Sequence, residues 1–280
     1  MNPLISVSEL AGALHDADLV VVDCRHQLAN PAWGQGVYAV GHIPGAVYMH
    51  LDEDMSGPMN GTNGRHPLPD PEKLAQKLGS LGIGNATRVV AYDDIASVPG
   101  AARLWWLLGW LGHDKVQVLD GGYAAWLAAN QPGSTAVEQT TPVKFRANVQ
   151  AKRVVDVDQV QANLDTKDFL VVDARGAERF RGIGETLDPV GGHIPQAANR
   201  FYQHNLSATG LFKFADELRD EWAQILGEWP VEKVVHQCGS GVTACHNLLA
   251  LAHAGMNGGR LYAGSWSEWC ADPARPVSRD

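Results

Sequence analysis

The chain has 280 residues, 45% of them hydrophobic and 19% charged, with nine tryptophans; that composition excludes a disordered or low-complexity protein and suffices for one large domain or two ordinary ones. A formal net charge of −9, with no long Lys/Arg run against it, argues against nucleic acid or an anionic membrane as partner. No stretch approaches the roughly eighteen consecutive apolar residues of a membrane span, and the first residues carry no basic-then-apolar leader, so a cytoplasmic location is expected.

In chain order, the first half presents an apolar strand in LVVVDCR (19–25), a turn in AVGHIPGA (39–46), a helix in PEKLAQKLGSLG (71–82), a strand in RVVAYDD (88–94) and a closing LDGGYAAW (119–126). The second half returns to the same pattern with FLVVDAR (169–175), VGGHIPQA (190–197), the helix ADELRDEWAQIL (215–226), KVVHQCG (233–239) and YAGSWSEW (262–269). The order of four matching blocks is kept, which is the mark of duplicated domains. Continuous β-branched runs alternating with amphipathic segments predict an α/β fold, each half a parallel sheet with helices on both faces. The expected boundaries are 1–130 for the first domain and 150–280 for the second. Between them 131–149, opening with QPGSTAVEQTTP, reads as a linker.

Four cysteines (Cys24, Cys238, Cys245 and Cys270) form no CxxC pair, so neither a disulfide framework nor a zinc knuckle is expected, and no metal. Cys238 stands apart from the others. It ends an apolar run, precedes the small-residue loop GSGVT, and is followed by the helical spacing of ACHNLLALAHAG. Strand, loop and helix N-terminus bring backbone N–H groups together on an anion and favour a thiolate, which makes Cys238 a candidate nucleophile. The same cradle would suit a cysteine phosphatase, but such an enzyme needs an arginine after five intervening residues, where this chain has Ala244. Cys24 is matched by Ala174 in the repeat and reads, with Cys245 and Cys270, as a packing residue.

The tandem halves, the strand ends DCR and DAR, the motifs GHIPGA and GHIPQA, the loop CGSGVTA and the closing YAGSWSEW together resemble the two-domain rhodanese-like sulfurtransferases over nearly the whole chain. The resemblance implies two tandem rhodanese-like domains. The first would be catalytically silent, with Asp93 at the cysteine position. In the second, Cys238 would take sulfane sulfur as a persulfide, with no cofactor, and pass it to a thiol or cyanide acceptor. A thioredoxin-like reductant is a further candidate partner.

The neutral loop around Gly239, Ser240, Gly241, Val242 and Thr243 resembles the 3-mercaptopyruvate branch rather than the basic CRKGVTA loop of thiosulfate enzymes. Thiosulfate remains the alternative donor, and a persulfide carrier serving a protein partner the alternative role. The resemblance also implies a polar relay of Asp52, His66 and Ser240, substrate binding by Arg179, and a pocket closed by Trp266. A second substrate arginine, expected about nine residues after Arg179, is replaced in ETLDPVGG by Thr186 or Asp188, and Arg181 is the nearest cation that could compensate.

Overall fold

The computed structural model describes residues 2–94 and 99–280. The chain divides into two compact units, one formed by Met1–Gly57 and Pro69–Gln150, the other by Pro58–Leu68 and Ala151–Asp280.

The first unit contains β1 (Leu4–Ile5), α1 (Val7–Ala13), β2 (Leu19–Asp23), α2 (Ala32–Val40), β3 (Val47–Tyr48), α3 (Pro71–Ser80), β4 (Arg88–Tyr92), α4 (Gly100–Trp110), β5 (Val116–Leu119) and α5 (Gly122–Ala128). Its sheet runs β1-β5-β4-β2-β3 with every pairing parallel. Helix starts follow local chemistry. Ser6 and Glu9 close a capping box on α1, and Asp70 caps α3 with Pro71 in its first turn. Residues 131–150 do not hang free but run back over this unit. Ser134 bridges His42, the Val143 and Gln150 N–H groups donate to the Gly79 and Trp110 carbonyls, and Phe145 is buried.

The second unit contains α6 (Val157–Thr166), β6 (Leu170–Asp173), α7 (Ala177–Phe180), β7 (Ala198–Asn199), α8 (Ala215–Leu226), β8 (Val234–Gln237), α9 (Thr243–His253), β9 (Arg260–Leu261) and α10 (Ser265–Trp269). Its sheet is parallel throughout in the order β7-β6-β8-β9. Alternate residues of each central strand feed opposite layers. Val171 and Val235 pack with Val160, Trp266 and Trp269 on one face, while Val172 and Val234 pack with Leu218, Trp222 and Leu251 on the other. Burial on both faces is why these strands read as unbroken apolar runs.

Both units repeat one brace. In the first, Arg25 grips Asp23 through Nε and Nη2 and donates from Nη2 to the Gly41 carbonyl at 2.6 Å. In the second, Arg175 grips Asp173 in the same way and donates to the Gly192 carbonyl at 2.7 Å. The acceptor glycines immediately precede His42 and His193, so the strand-end DxR motif fastens the GHIP turn. The two histidines are held by main-chain carbonyls, His42 Nδ1 against Tyr38 at 2.8 Å and His193 Nδ1 against Phe180 at 2.8 Å.

Candidate active site

Cys238 follows the last residue of β8, a central strand, at the carboxyl end of the sheet, where open parallel sheets hold ligands. The loop turns back because Gly241 adopts φ +78°, and its backbone passes so close to the β9–α10 connection that a Cβ there would stand 2.3 Å from the Ala263 carbonyl oxygen. That turn aims the Gly241 N–H at the Cys238 sulfur, 3.1 Å away. The start of α10 secures the loop from behind. The Cys238 N–H donates to Ser265 Oγ at 3.1 Å, and the Trp266 and Ser267 N–H groups donate to the Cys238 and Gly239 carbonyls at 3.0 Å each. Ser265 holds a left-handed φ of +55° to make this bond. Its repeat counterpart is Gly122, at φ +60°, and that pairing with a glycine is the sequence signal that marks position 265 as special.

The other groups near the sulfur come from two further segments of this unit. His66 and Ser240, both buried, are joined by a hydrogen bond of 2.7 Å between Nδ1 and Oγ. Arg179, at the end of α7, donates from Nε and Nη2 to Glu185 at 3.0 and 2.9 Å, and Nη2 also reaches Asp188 at 3.3 Å. Burial raises the Glu185 carboxyl, but the Leu187 N–H and Arg179 more than offset it and hold Glu185 below the ordinary carboxylate range. Asp188 also pairs with Arg65 Nη1; burial and the charge of Glu185 nevertheless leave its carboxyl above the ordinary range. Arg65 was not among the residues singled out from sequence, and nothing in NGRHPLP marks it. Arg181, considered there as a compensating cation, is exposed.

The second unit thus sets a cysteine sulfur against a backbone N–H at a strand end, and the first unit carries Asp93 at the equivalent place in the sequence repeat. The rhodanese-like domain matches residues 6–129 and again 156–272. The chain belongs to the rhodanese family. It is 46% identical over 279 residues to a probable 3-mercaptopyruvate sulfurtransferase of Pseudomonas aeruginosa, covering 98% of this chain and 97% of that one. It is 37% identical over 285 residues to a putative thiosulfate sulfurtransferase of Mycobacterium tuberculosis, covering 99% and 96%. Among solved structures, SseA from Escherichia coli, a 3-mercaptopyruvate sulfotransferase, superposes with a TM-score of 0.80 at 30% identity, covering 96% of this chain and 100% of that one.

Within this rhodanese-like chain the remaining expected site residues fall in two groups. Val242 is buried as the residue before α9, and Thr243 opens that helix. Trp266 was expected to line the pocket, but its side chain is fully buried, its indole N–H donates to the Val190 carbonyl at 2.9 Å, and the Arg175 guanidinium covers its ring at 4.7 Å. With no surface to offer a substrate, it supports the loop from the core. Asp52 belongs to the first unit, where its half-exposed carboxylate lies 3.5 Å from Nε2 of buried His26. His26, His50 and Asp52 cluster there, but His50 already accepts the Asp52 and Glu53 N–H groups at Nδ1 and meets the Pro31 carbonyl at Nε2, which makes it a turn-holding histidine. The first unit's counterpart of Cys238, Asp93, accepts the Ala101 N–H of α4 at 3.0 Å.

Proposed function

We propose that the chain is a 3-mercaptopyruvate sulfurtransferase that works through a persulfide on Cys238. The observation that carries this reading is the Cys238 sulfur facing the Gly241 N–H inside a loop with no cation of its own. The names of the relatives, at 46% identity over nearly the full chain for the first, agree with it.

In the proposed reaction the Cys238 thiolate attacks the donor's sulfur and the carbon–sulfur bond breaks. Its electron pair moves onto the carbon as an enolate of pyruvate, and the proton released from the donor thiol completes the methyl group. The persulfide anion that remains on Cys238 sits where the loop N–H groups can hold it, as they held the thiolate. The Ser240 hydroxyl, oriented by His66, is placed to polarise the donor carbonyl and to relay that proton. A thiol or cyanide then removes the outer sulfur and restores the thiolate. We extend the reading to a cytoplasmic setting, a thioredoxin-like reductant among the thiol acceptors, and a catalytically silent first unit, where Asp93 has no sulfur to load.

Thiosulfate is the second reading, supported by the two guanidiniums near Gly239 and by the name of the mycobacterial relative. The deciding measurement is kcat/KM for 3-mercaptopyruvate and thiosulfate side by side, with cyanide or a dithiol as acceptor. The proposal expects 3-mercaptopyruvate to be used at least about tenfold better, a difference of about 1.4 kcal/mol in transition-state binding. A preference for thiosulfate would reverse the assignment. A single stoichiometric transfer without turnover would make the protein a carrier.

A further inference from the structure

The hydroxyl of Ser267 joins two parts of the site that lie far apart in the chain. Residues 58–68 precede α3 in sequence yet belong to the second unit. Within them Gly64 adopts φ +83° and passes the start of α10 closely. A Cβ there would stand 2.6 Å from the Gly264 carbonyl oxygen and 3.2 Å from Ser267 Oγ. At that approach the Arg65 N–H donates to Ser267 Oγ at 3.1 Å, and the same hydroxyl donates to the Gly264 carbonyl at 3.2 Å. Its proton is thereby directed away from Arg65 and a lone pair toward it.

The main chain of Ser267 serves the nucleophile loop, its N–H holding the Gly239 carbonyl at 3.0 Å. The contacts close a ring. Gly239 meets the Ser267 amide, the Ser267 hydroxyl meets Arg65, His66 follows Arg65, and His66 Nδ1 meets Oγ of Ser240, the residue after Gly239. Three hydrogen bonds and two peptide links thus fix the imidazole against the loop that carries Cys238. Ser265, two residues before Ser267, accepts the Cys238 N–H. One short helix therefore holds the nucleophile through one serine and the His66 segment through the next. In the first unit the repeat sets Ala124 at the place of Ser267, exposed and without a hydroxyl.

We infer that Ser267 is a positioning residue for sulfur loading: its hydroxyl sets the His66 segment so that Nδ1 meets Ser240, and it acts on the donor only through that pair. The inference rests on the reading that His66 and Ser240 polarise and relay for a 2-oxo acid donor. Ser267 contributes no atom to the reacting groups, so its effect must vanish when His66 is gone.

The test is a double-mutant cycle on the full chain, read as the single-turnover loading rate at saturating 3-mercaptopyruvate, with thermal unfolding of every variant. Ser267→Ala removes the acceptor for Arg65 and keeps the main-chain bond to Gly239. Loading should slow about three- to tenfold, the share of one neutral hydrogen bond. His66→Ala should slow it at least about tenfold. Adding Ser267→Ala to His66→Ala should change the rate by less than about twofold. Ser267→Thr keeps the acceptor and should load faster than Ser267→Ala. Should Ser267→Ala lose the fold, Gly64→Ala, which displaces the same segment, carries the cycle with the same expected coupling to His66. An equal cost in both backgrounds overturns the inference, because a merely structural role would persist without His66. Wild-type loading in Ser267→Ala, or a Ser267→Thr no better than Ser267→Ala, does so as well. Wild-type loading in His66→Ala instead removes the relay on which the inference rests.

Discussion

Gly241→Ala probes the cradle around the nucleophile most directly. Gly241 sits at φ +78°, and the new Cβ would lie 2.3 Å from the Ala263 carbonyl oxygen, a main-chain atom that cannot rotate away. The left-handed conformation alone costs an ordinary residue about 1–2 kcal/mol, and relieving the contact requires the loop to move. The group that must move is the N–H that stands 3.1 Å from the Cys238 sulfur. Losing a hydrogen bond to a charged group costs about 1.5–3 kcal/mol, or about ten- to hundredfold in the step that loads sulfur. Gly239→Ala is the matched control. Gly239 is not left-handed, and its Cβ would first meet the far end of the Arg65 side chain instead of main chain, so loading at saturating donor should stay within about threefold of wild type. The assay is single-turnover loading from 3-mercaptopyruvate, read as pyruvate released and as cyanide-labile sulfur, with thermal unfolding of the same samples. Wild-type loading rate and unfolding midpoint in Gly241→Ala would refute both the close approach and the role of its N–H.

Cys238→Ser should fold and bind donor yet show no sulfur transfer, because oxygen forms no persulfide, whereas Cys24→Ser should keep most activity; Cys24 is buried beside Asp23 and Asp93, which holds its thiol protonated. Ser265→Ala should lower the unfolding midpoint and slow loading more than Ser265→Gly, since both lose the acceptor of the Cys238 N–H but only glycine relieves the φ of +55°. Burial lifts Asp93 to about 7 against the opposing Ala101 N–H, with Asp94 and Asp23 adding to the rise. Between about pH 4 and 7 the folded chain therefore holds a proton that the unfolded chain has released, so this group's contribution is present at low pH and lost as pH rises through 7. Asp93→Asn should flatten that decline and stabilise the protein by on the order of 1–2 kcal/mol at pH 8 and less at pH 5, measured by denaturant unfolding at both pH values.

The central strands were legible because β2, β4, β6 and β8 are buried on both faces and so appear as uninterrupted valine-rich runs. The edge strands Val47–Tyr48 and Ala198–Asn199 were not, because two residues carry no periodicity; the GHIP turns deliver them to the sheet. The setting of Cys238 was legible from local order alone, a strand, a small-residue loop and a helix. The groups around it were not. His66 meets Ser240 across 174 residues and Arg65 meets Asp188 across 123, and no spacing rule reaches so far. Ser240 and His66 entered only through family resemblance, and Arg65 did not enter at all. Trp266 was misread because an aromatic residue beside a nucleophile resembles a pocket wall; only the bond from its indole to Val190 shows that it faces inward.

The duplication also separates scaffold from chemistry. Asp23–Arg25–Gly41 and Asp173–Arg175–Gly192 are the same brace in both units, which marks it as part of the scaffold. What differs is the surroundings. Arg25 lies over Tyr123 at 4.4 Å, whereas Arg175 lies over Trp266, reaches toward Glu185 at 3.8 Å, and stands close enough to Cys238 for their charges to interact. One structural arginine has thereby become part of the positive field around the sulfur without giving up its brace. Truncating the arginine of either brace would strip a buried aspartate of its counter-charge and cost about 3–5 kcal/mol, so loss of activity in such a variant would report unfolding first. The electrostatic share of Arg175 is visible only where the brace is intact, in substitutions of the partners it does not need for folding. Glu185 is the nearest of these. Its carboxylate faces both Arg175 and Arg179, so it sets how much of their positive charge remains for an anionic donor and a persulfide.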